Sequence, residues 1–147
     1  MSSTYNLAEV SKLHPTVIAK SLLYLAVCSQ QLPGGFDTSK LQLGPSLDQR
    51  IEKYMSTVQS LITSDDEVVS TIEGLECLLL QGIYHINCGN LRRAWLTFRR
   101  ALNVGQLMGI HRGNDNMHGA KNMWYQILQG DRYLVSAPIS ITLLNRI

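Results

Sequence analysis

The sequence predicts an all-α protein, and three observations carry that prediction. Apolar residues recur every three or four positions along most of the chain, no segment shows strand-like alternation, and turn or cap residues bound each periodic segment. The 147 residues are 45% hydrophobic and 16% charged, which is enough for one compact domain with its own core. We expect a helical array of about five to six antiparallel helices.

The first two helices are predicted in the N-terminal half. The first begins at Pro15, because a proline suits the first helical turn where its missing N–H needs no partner, and it ends before a Leu-Pro-Gly-Gly turn. Residues 36–45 are predicted to be a loop. The second helix begins at Ser46, whose spacing to Gln49 matches a capping box, and its apolar positions continue to Ile62.

The third and fourth helices are predicted to form an antiparallel hairpin. Ser64 and Glu67 repeat the capping-box spacing at the start of the third helix, whose apolar stripe continues to Ile86. Gly89 ends that helix with a left-handed cap, and Asn90 is placed to cap the fourth. Only two or three residues connect the two helices, and a connection of that length makes them antiparallel neighbours.

The fourth helix, over residues 91–108, is predicted to have an apolar and a basic face. Trp95 and Phe98 lie on the apolar side, which we expect to face the core. The opposite side carries four arginines: Arg92, Arg93, Arg99 and Arg100. Residues 1–90 are net acidic and residues 91–147 net basic, so we expect a solvated face or one paired with the acidic half. The alternative is that the arginines contact nucleic acid directly, but no motif that recognises bases accompanies them in the sequence.

A fifth helix is predicted over residues 120–136, and residues 139–147 are predicted to begin another, as in a truncated domain. Asp131 and Arg132 are adjacent in the fifth helix and cannot pair with each other along it. We expect each to reach another segment as a buried polar latch between helices, Arg132 toward a carboxylate of the third helix. Contact with a ligand or partner is the alternative.

No motif in the chain predicts catalysis, a metal site or a bound cofactor. Cys28, Cys77 and Cys88 are widely spaced and form no zinc-ligand pair, so we expect buried thiols. Phosphate-binding loops, serine-nucleophile motifs and zinc-protease motifs are missing. His111, at a helix end beside Arg112, is interpreted as a structural cap or loop anchor. We therefore expect no enzymatic activity.

The chain is expected to be soluble and intracellular. Its longest apolar run, residues 17–27, is broken by Lys20 and is shorter than the roughly 20 residues that a membrane span needs. No basic segment followed by an apolar one opens the chain, so no signal peptide is predicted. Residues 1–12 are expected to be a disordered N-terminus, and residues 13–147 a single domain.

Several motifs occur in a particular order along the chain. Gly-Asn-Leu-Arg-Arg-Ala-Trp at 89–95 is followed by Met-Gly-Ile-His-Arg at 108–112, and Trp-Tyr at 124–125 by Asp-Arg-Tyr-Leu at 131–134. Together with Leu-His-Pro near the start, these resemble the fungal-specific transcription factor domain, the middle homology region of binuclear zinc cluster regulators. Tyr125 replaces the family's second tryptophan, and Ser-Ala-Pro stands where Gly-Arg-Pro is usual.

The resemblance implies an all-helical regulatory and interaction module of a nuclear transcription factor. Such a module restrains or relays activation through a protein partner or self-association, and it admits a small-molecule effector. The family's six-cysteine zinc cluster is absent from these residues, so DNA binding and zinc are implied only for an upstream segment of a parent protein. The candidate regulatory and structural residues are Trp95, His111, Arg112, Trp124, Asp131 and Arg132.

A tetratricopeptide-like scaffold that binds a peptide or protein is the alternative function. Paired antiparallel helices with small residues at Gly82, Ala94 and Ala101 are typical of such repeats. No second copy occurs at a period of about 34 residues, and about three repeats are needed to bury a core.

Overall fold

The described residues form six α-helices. A computed structural model describes residues 12–37, 46–113 and 119–136. The helices are α1 (Pro15–Gln30), α2 (Leu47–Val58), α3 (Asp66–Val69), α4 (Ile72–Asn87), α5 (Leu91–Leu107) and α6 (Ala120–Ser136). A π-helical turn, Gln59–Thr63, extends α2, and a 3-10 turn, Ile110–Arg112, follows α5. The described residues contain no strand, which confirms the all-α prediction.

Three parts of the sequence-based prediction fall outside the described ranges. These are the N-terminal segment up to residue 11, most of the loop predicted before α2, and the helix predicted over residues 139–147. The described helices α1, α5 and α6 begin at the residues that the sequence predicted, or one position from them, and end within one position of the predicted residue.

Helix α4 is the centre of the array and takes part in two apolar clusters. On one side Leu75, Leu78 and Leu79 pack with α5 and α6, and on the other Cys77 and Leu80 pack with α1 and α2. Eight of its residues between Gly74 and Gly82 are buried. A helix buried on most of its circumference has little surface left for solvent, so its buried polar residues must face a partner or a cavity.

Phe98 on α5 is clamped between glycines of two neighbouring helices. Its side chain is 1% exposed. A Cβ at Gly82 of α4 would lie 2.7 Å from the ring, and a Cβ at Gly130 of α6 would also overlap it. The two glycines therefore let α4, α5 and α6 approach closely around one aromatic ring.

The single helix predicted from Ser64 to residue 87 is wrong, because the structure divides it into α3 and α4. Thr71 is the N-cap of α4 and accepts a hydrogen bond from the backbone N–H of Gly74 at 3.0 Å. A threonine hydroxyl that binds the backbone in this way offers an alternative to continuing the helix. Gly74 also allows the close approach of α3, since a Cβ there would overlap the backbone of Val69.

Three of the predicted caps differ from the structure. Asp65, rather than Ser64, caps α3 by accepting from the backbone N–H of Glu67 at 2.9 Å. Ser46 and Asn90 occupy N-cap positions but make no side-chain capping hydrogen bond. The left-handed Gly89 is confirmed, with φ of +76°.

Exposure corrects three further expectations. Of the three cysteines only Cys77 is buried, while Cys28 and Cys88 are exposed. Trp95, expected in the core, is 37% exposed, and Tyr125, which replaces the family's second tryptophan, is 54% exposed. Both aromatic residues lie at the margin of an apolar stripe, where the helical period alone does not distinguish core from surface.

Candidate regulatory site

The ion pair between Arg99 and Asp131 joins α5 to α6. Arg99 Nε lies 2.8 Å from Asp131 Oδ1, and the aspartate is 8% exposed while the arginine side chain is about half exposed. The Oδ1 atom receives no hydrogen bond of good geometry, so the contact is electrostatic. Asp131 thus reaches a neighbouring helix with its charge largely shielded from water.

Trp95 contacts the arginine of the same ion pair. The Arg99 guanidinium carbon is 5.4 Å from the centroid of the indole ring, within the range of a cation–π interaction. Trp95 and Arg99 are four residues apart and therefore neighbours on one face of α5. The expectation that Arg99 lies opposite the apolar side with Trp95 is wrong. The indole therefore contacts the guanidinium that pairs with Asp131.

His111 and Trp124 pack against each other at the far end of α5. Their ring centroids are 5.9 Å apart and the planes are inclined by 46°. Trp124 lies over Gly105, where a Cβ would come within 2.9 Å of the indole Cζ3 atom. The 3-10 turn that carries His111 begins after Gly109, whose φ is +75°. A glycine on α5 and a left-handed turn therefore bring the two rings together.

The two remaining candidate residues, Arg112 and Arg132, are exposed. Arg112 closes the 3-10 turn, and its backbone N–H donates to the carbonyl of Gly109 at 3.1 Å. We expected Arg132 to approach a carboxylate of the third helix predicted from the sequence. One of those carboxylates, that of Glu76, forms its ion pair with Lys20 of α1 instead.

Arg100 connects α5 to the segment between α2 and α4. Its Nη1 donates to the carbonyl of Thr63, and its Nη2 lies 2.8 Å from Asp66 Oδ1. A carbonyl of the π-helical turn and an acidic residue of the N-terminal half therefore hold this arginine. Two of the four arginines assigned to the basic face of α5, Arg99 and Arg100, therefore form ion pairs within the chain.

A cavity of about 310 Å³ lies between the π-helical turn, α4 and α5. Thr63, Leu78, Gln81 and His85 are buried and form its floor, whereas Gln59, Ser64 and Leu96 are exposed at its rim. Its volume lies at the lower end of the roughly 300 to 1,000 Å³ that small-molecule sites occupy.

Two buried polar residues of α4, Gln81 and His85, face this cavity. Gln81 is 5% exposed and His85 8% exposed, and His85 Nδ1 is buried without a hydrogen-bond partner. Burial lowers the pKa of His85 from its usual 6.5, and the nearby charge of Arg93 lowers it further. The floor of the cavity therefore carries a neutral imidazole and an amide.

This cavity was not predicted from the sequence. The signal in the sequence was a pair of polar residues, Gln81 and His85, four positions apart on one face of a largely apolar helix. The π-helical turn that opens the space beside them has no comparable signal.

The described residues hold no group of three or more histidines, cysteines and acidic residues that could bind a metal ion. The one strongly buried thiol, Cys77, has its pKa raised to about 11 by burial, which keeps it protonated and weakly nucleophilic. No helix in the described parts of the chain is long and apolar enough to cross a membrane.

Comparison with known proteins identifies the class to which this arrangement belongs. The family model named fungal specific transcription factor domain matches residues 5–129. The chain belongs to that family, and the resemblance seen in its motifs is confirmed. The match also favours a regulatory role over the tetratricopeptide-like alternative.

Curated relatives carry the same function in their names. The chain is 55% identical over 101 residues, 69% of its length, to the transcription factor sdnS of Sordaria araneosa. It is 36% identical over 143 residues, 87% of its length, to the transcription factor eupR of a Phoma species. A dehydrocurvularin biosynthesis regulator of Alternaria cinerariae is 32% identical over 131 residues, 82% of the chain.

These relatives are much longer than the chain. The matched segment covers 13% of sdnS, 30% of eupR and 17% of the Alternaria regulator. No solved structure matches the chain. The family match and the names of the relatives show a regulatory role in transcription.

Proposed function

We propose that the chain is the regulatory and interaction module of a nuclear transcription factor that controls a set of biosynthetic genes. The family match over residues 5–129 is the observation that carries this proposal. Relatives named as transcription factors and as biosynthesis regulators support the class of target. In this proposal, a zinc cluster domain in another part of the parent protein recognises the DNA of the target genes.

The arginines of α5 support a regulatory rather than a DNA-reading role for these residues. A helix that reads DNA offers its arginines to phosphates and base edges. Here Arg99 pairs with Asp131, and Arg100 pairs with Asp66 and donates to the carbonyl of Thr63. These side chains would have to leave existing partners to contact a phosphate, so their present role is to tie α5 to its neighbours.

The same geometry supports a module that relays changes between surfaces. Helix α5 is tied to α6 through Arg99 and to the π-helical turn through Arg100, which is the next residue. A shift of one neighbour is therefore transmitted to α5 and from it to the other. The proposed binding partner is another protein or a second copy of the chain. Exposed apolar side chains such as Leu96 and Leu107 provide contact area for it.

We further propose that the chain has no catalytic activity and no cofactor of its own. The polar groups that line its cavity include no nucleophile paired with a base. Zinc is assigned to the DNA-reading domain of the parent protein alone.

A reporter assay in a fungal host tests the regulatory role. Residues 1–147 are placed between a heterologous DNA-binding domain and a constitutive activation domain, and transcription is compared with a fusion that carries a flexible linker of equal length. We expect the chain to change reporter output, and Arg99→Ala, which breaks the tie between α5 and α6, to reduce that change at equal protein level. Output equal to that of the linker fusion contradicts the proposal.

A further inference from the structure

The cavity beside the π-helical turn has a polar floor that the fold itself does not satisfy. Gln81 is 95% buried and His85 is 92% buried. His85 Nδ1 is buried without a hydrogen-bond partner, and the Gln81 side chain lines the same cavity. A buried polar atom without a partner is costly, and a native fold retains one chiefly where water or a ligand completes it.

The cavity also has a positive charge at its entrance. Arg93 lines it, is exposed, and forms no ion pair with another described residue. Arg100 lines it as well, but Asp66 already balances its charge. The described acidic residues supply no side chain to the lining, so the space has one uncompensated guanidinium and favours an anion.

The remaining lining determines the size and shape of that anion. Leu78 on the floor and Leu96 at the rim supply apolar surface, and the volume of about 310 Å³ fits a small molecule. A guanidinium binds a carboxylate through two parallel N–H bonds, and an amide N–H can donate to the same group.

We propose that this cavity binds a small organic carboxylate with an apolar body, and that the carboxylate is the effector of the module. The acid group contacts Arg93 and the Gln81 amide, and the apolar body lies against Leu78 and Leu96. The inference deepens the proposed regulatory function by naming a ligand class. The reporter assay and the binding assay below can fail independently of each other.

A ligand in this cavity would contact the elements whose relative movement we propose for regulation. Gln59 and Thr63 come from the π-helical turn, where the regular helical hydrogen-bond pattern is broken, and Ser64 follows it directly. π-Helical turns are frequent at functional sites. A ligand between this turn and α5 spans the same two elements that Arg100 ties together.

Binding is tested with the full chain and 1-naphthoate as probe, followed by amide chemical shifts and calorimetry. The neutral 1-naphthamide has the same apolar body without the charge. We expect 1-naphthoate to shift the resonances of Gln81, His85 and Thr97 with saturation, and 1-naphthamide to bind at least about tenfold more weakly, since charge-assisted hydrogen bonds are the stronger ones.

Two neighbouring arginines provide a matched pair of variants. Arg93→Gln and Arg92→Gln each remove one exposed charge from the same turn of α5, but only Arg93 lines the cavity. We expect Arg93→Gln to weaken 1-naphthoate binding about tenfold or more and Arg92→Gln to leave it within about twofold. Both positions are exposed, so both variants should fold, which the amide spectrum verifies.

Four results would overturn the proposal. The first is the absence of saturable shifts at the cavity residues, and the second is equal affinity for 1-naphthoate and 1-naphthamide. The third is an equal effect of the two arginine variants. The fourth is Arg93-dependent binding of an acidic peptide by a chain that does not bind 1-naphthoate, which would assign the cavity to a protein partner.

Discussion

Arg99 on α5 and Asp131 on α6 form an ion pair in which the two partners are unequally buried. The atoms Nε and Oδ1 are 2.8 Å apart, the aspartate side chain is 11% exposed, and that of the arginine is 48% exposed. The Arg99 guanidinium carbon also lies 5.4 Å from the centroid of the Trp95 indole ring. The pair therefore holds a nearly buried negative charge beneath a solvated positive one, and the cost of breaking it depends on which partner is removed.

Both alanine variants of this pair should destabilise the fold, and Arg99→Ala should do so more. Arg99→Ala leaves the Asp131 carboxylate buried without a counter-charge and should cost about 2 kcal/mol, whereas Asp131→Ala leaves an arginine that solvent can hydrate and should cost about 1 kcal/mol. Chemical unfolding measures both values, with Arg92→Ala as the control. Unchanged unfolding of Asp131→Ala would refute the latch between α5 and α6.

Gly130→Ala should destabilise the protein although it replaces a glycine within a helix. In an open helix the change gains up to about 1 kcal/mol. Here the added Cβ would overlap the Phe98 ring, and we expect a net loss of about 1 to 3 kcal/mol, typical of an overpacked core. Gly34→Ala is the control, since no atom lies within 4 Å of its Cβ position. Equal unfolding free energies for the two variants would show that α6 moves freely away from α5.

Stability should decrease on mild acidification because of His85. Its pKa in the folded protein is below the usual 6.5, chiefly through burial and also through the charge of Arg93. Below about pH 6.5 the unfolded chain therefore binds the proton more readily than the folded one. The stabilisation is complete above pH 6.5 and is lost as the pH falls from there to the folded-state pKa.

Thermal unfolding from pH 7.5 to 5 measures this dependence. We expect His85→Gln to have a flatter profile than the unsubstituted protein. The exposed His111→Gln serves as the control and should keep the steeper profile. A slope that His85→Gln leaves unaltered would assign the acid sensitivity to other groups.

The three thiols should differ in their reactivity toward a thiol reagent. Cys77 is buried, its Sγ lies 3.7 Å from the carbonyl of Thr16, and its pKa is raised to about 11. Since the thiolate is the reactive species, Cys77 should react only after unfolding, whereas the exposed Cys28 and Cys88 react in the native state. Mass spectrometry after timed labelling distinguishes the sites, and fast labelling of Cys77 in native buffer would show that α1 separates readily from α4.

The sequence alone determined the helical class, the bounds of α1, α5 and α6, and the family. These depend on local signals, because a proline at a first turn, a left-handed glycine such as Gly89 and a helical apolar period act within a few residues. The motifs of the family resemblance are likewise contiguous in the chain. Asp131 was recognised as a residue that must reach another segment, although the sequence did not identify Arg99 as its partner.

Only the tertiary structure decided where the longest predicted helix breaks and which polar groups meet. The division at Thr71 depends on α3 packing against Gly74, and the exposure of Trp95 depends on which neighbouring helix packs on that side of α5. The cavity at Gln81 requires three elements that are separated in the chain. Helical periodicity states which residues share a face, but the neighbour that covers each face is chosen by packing between distant segments.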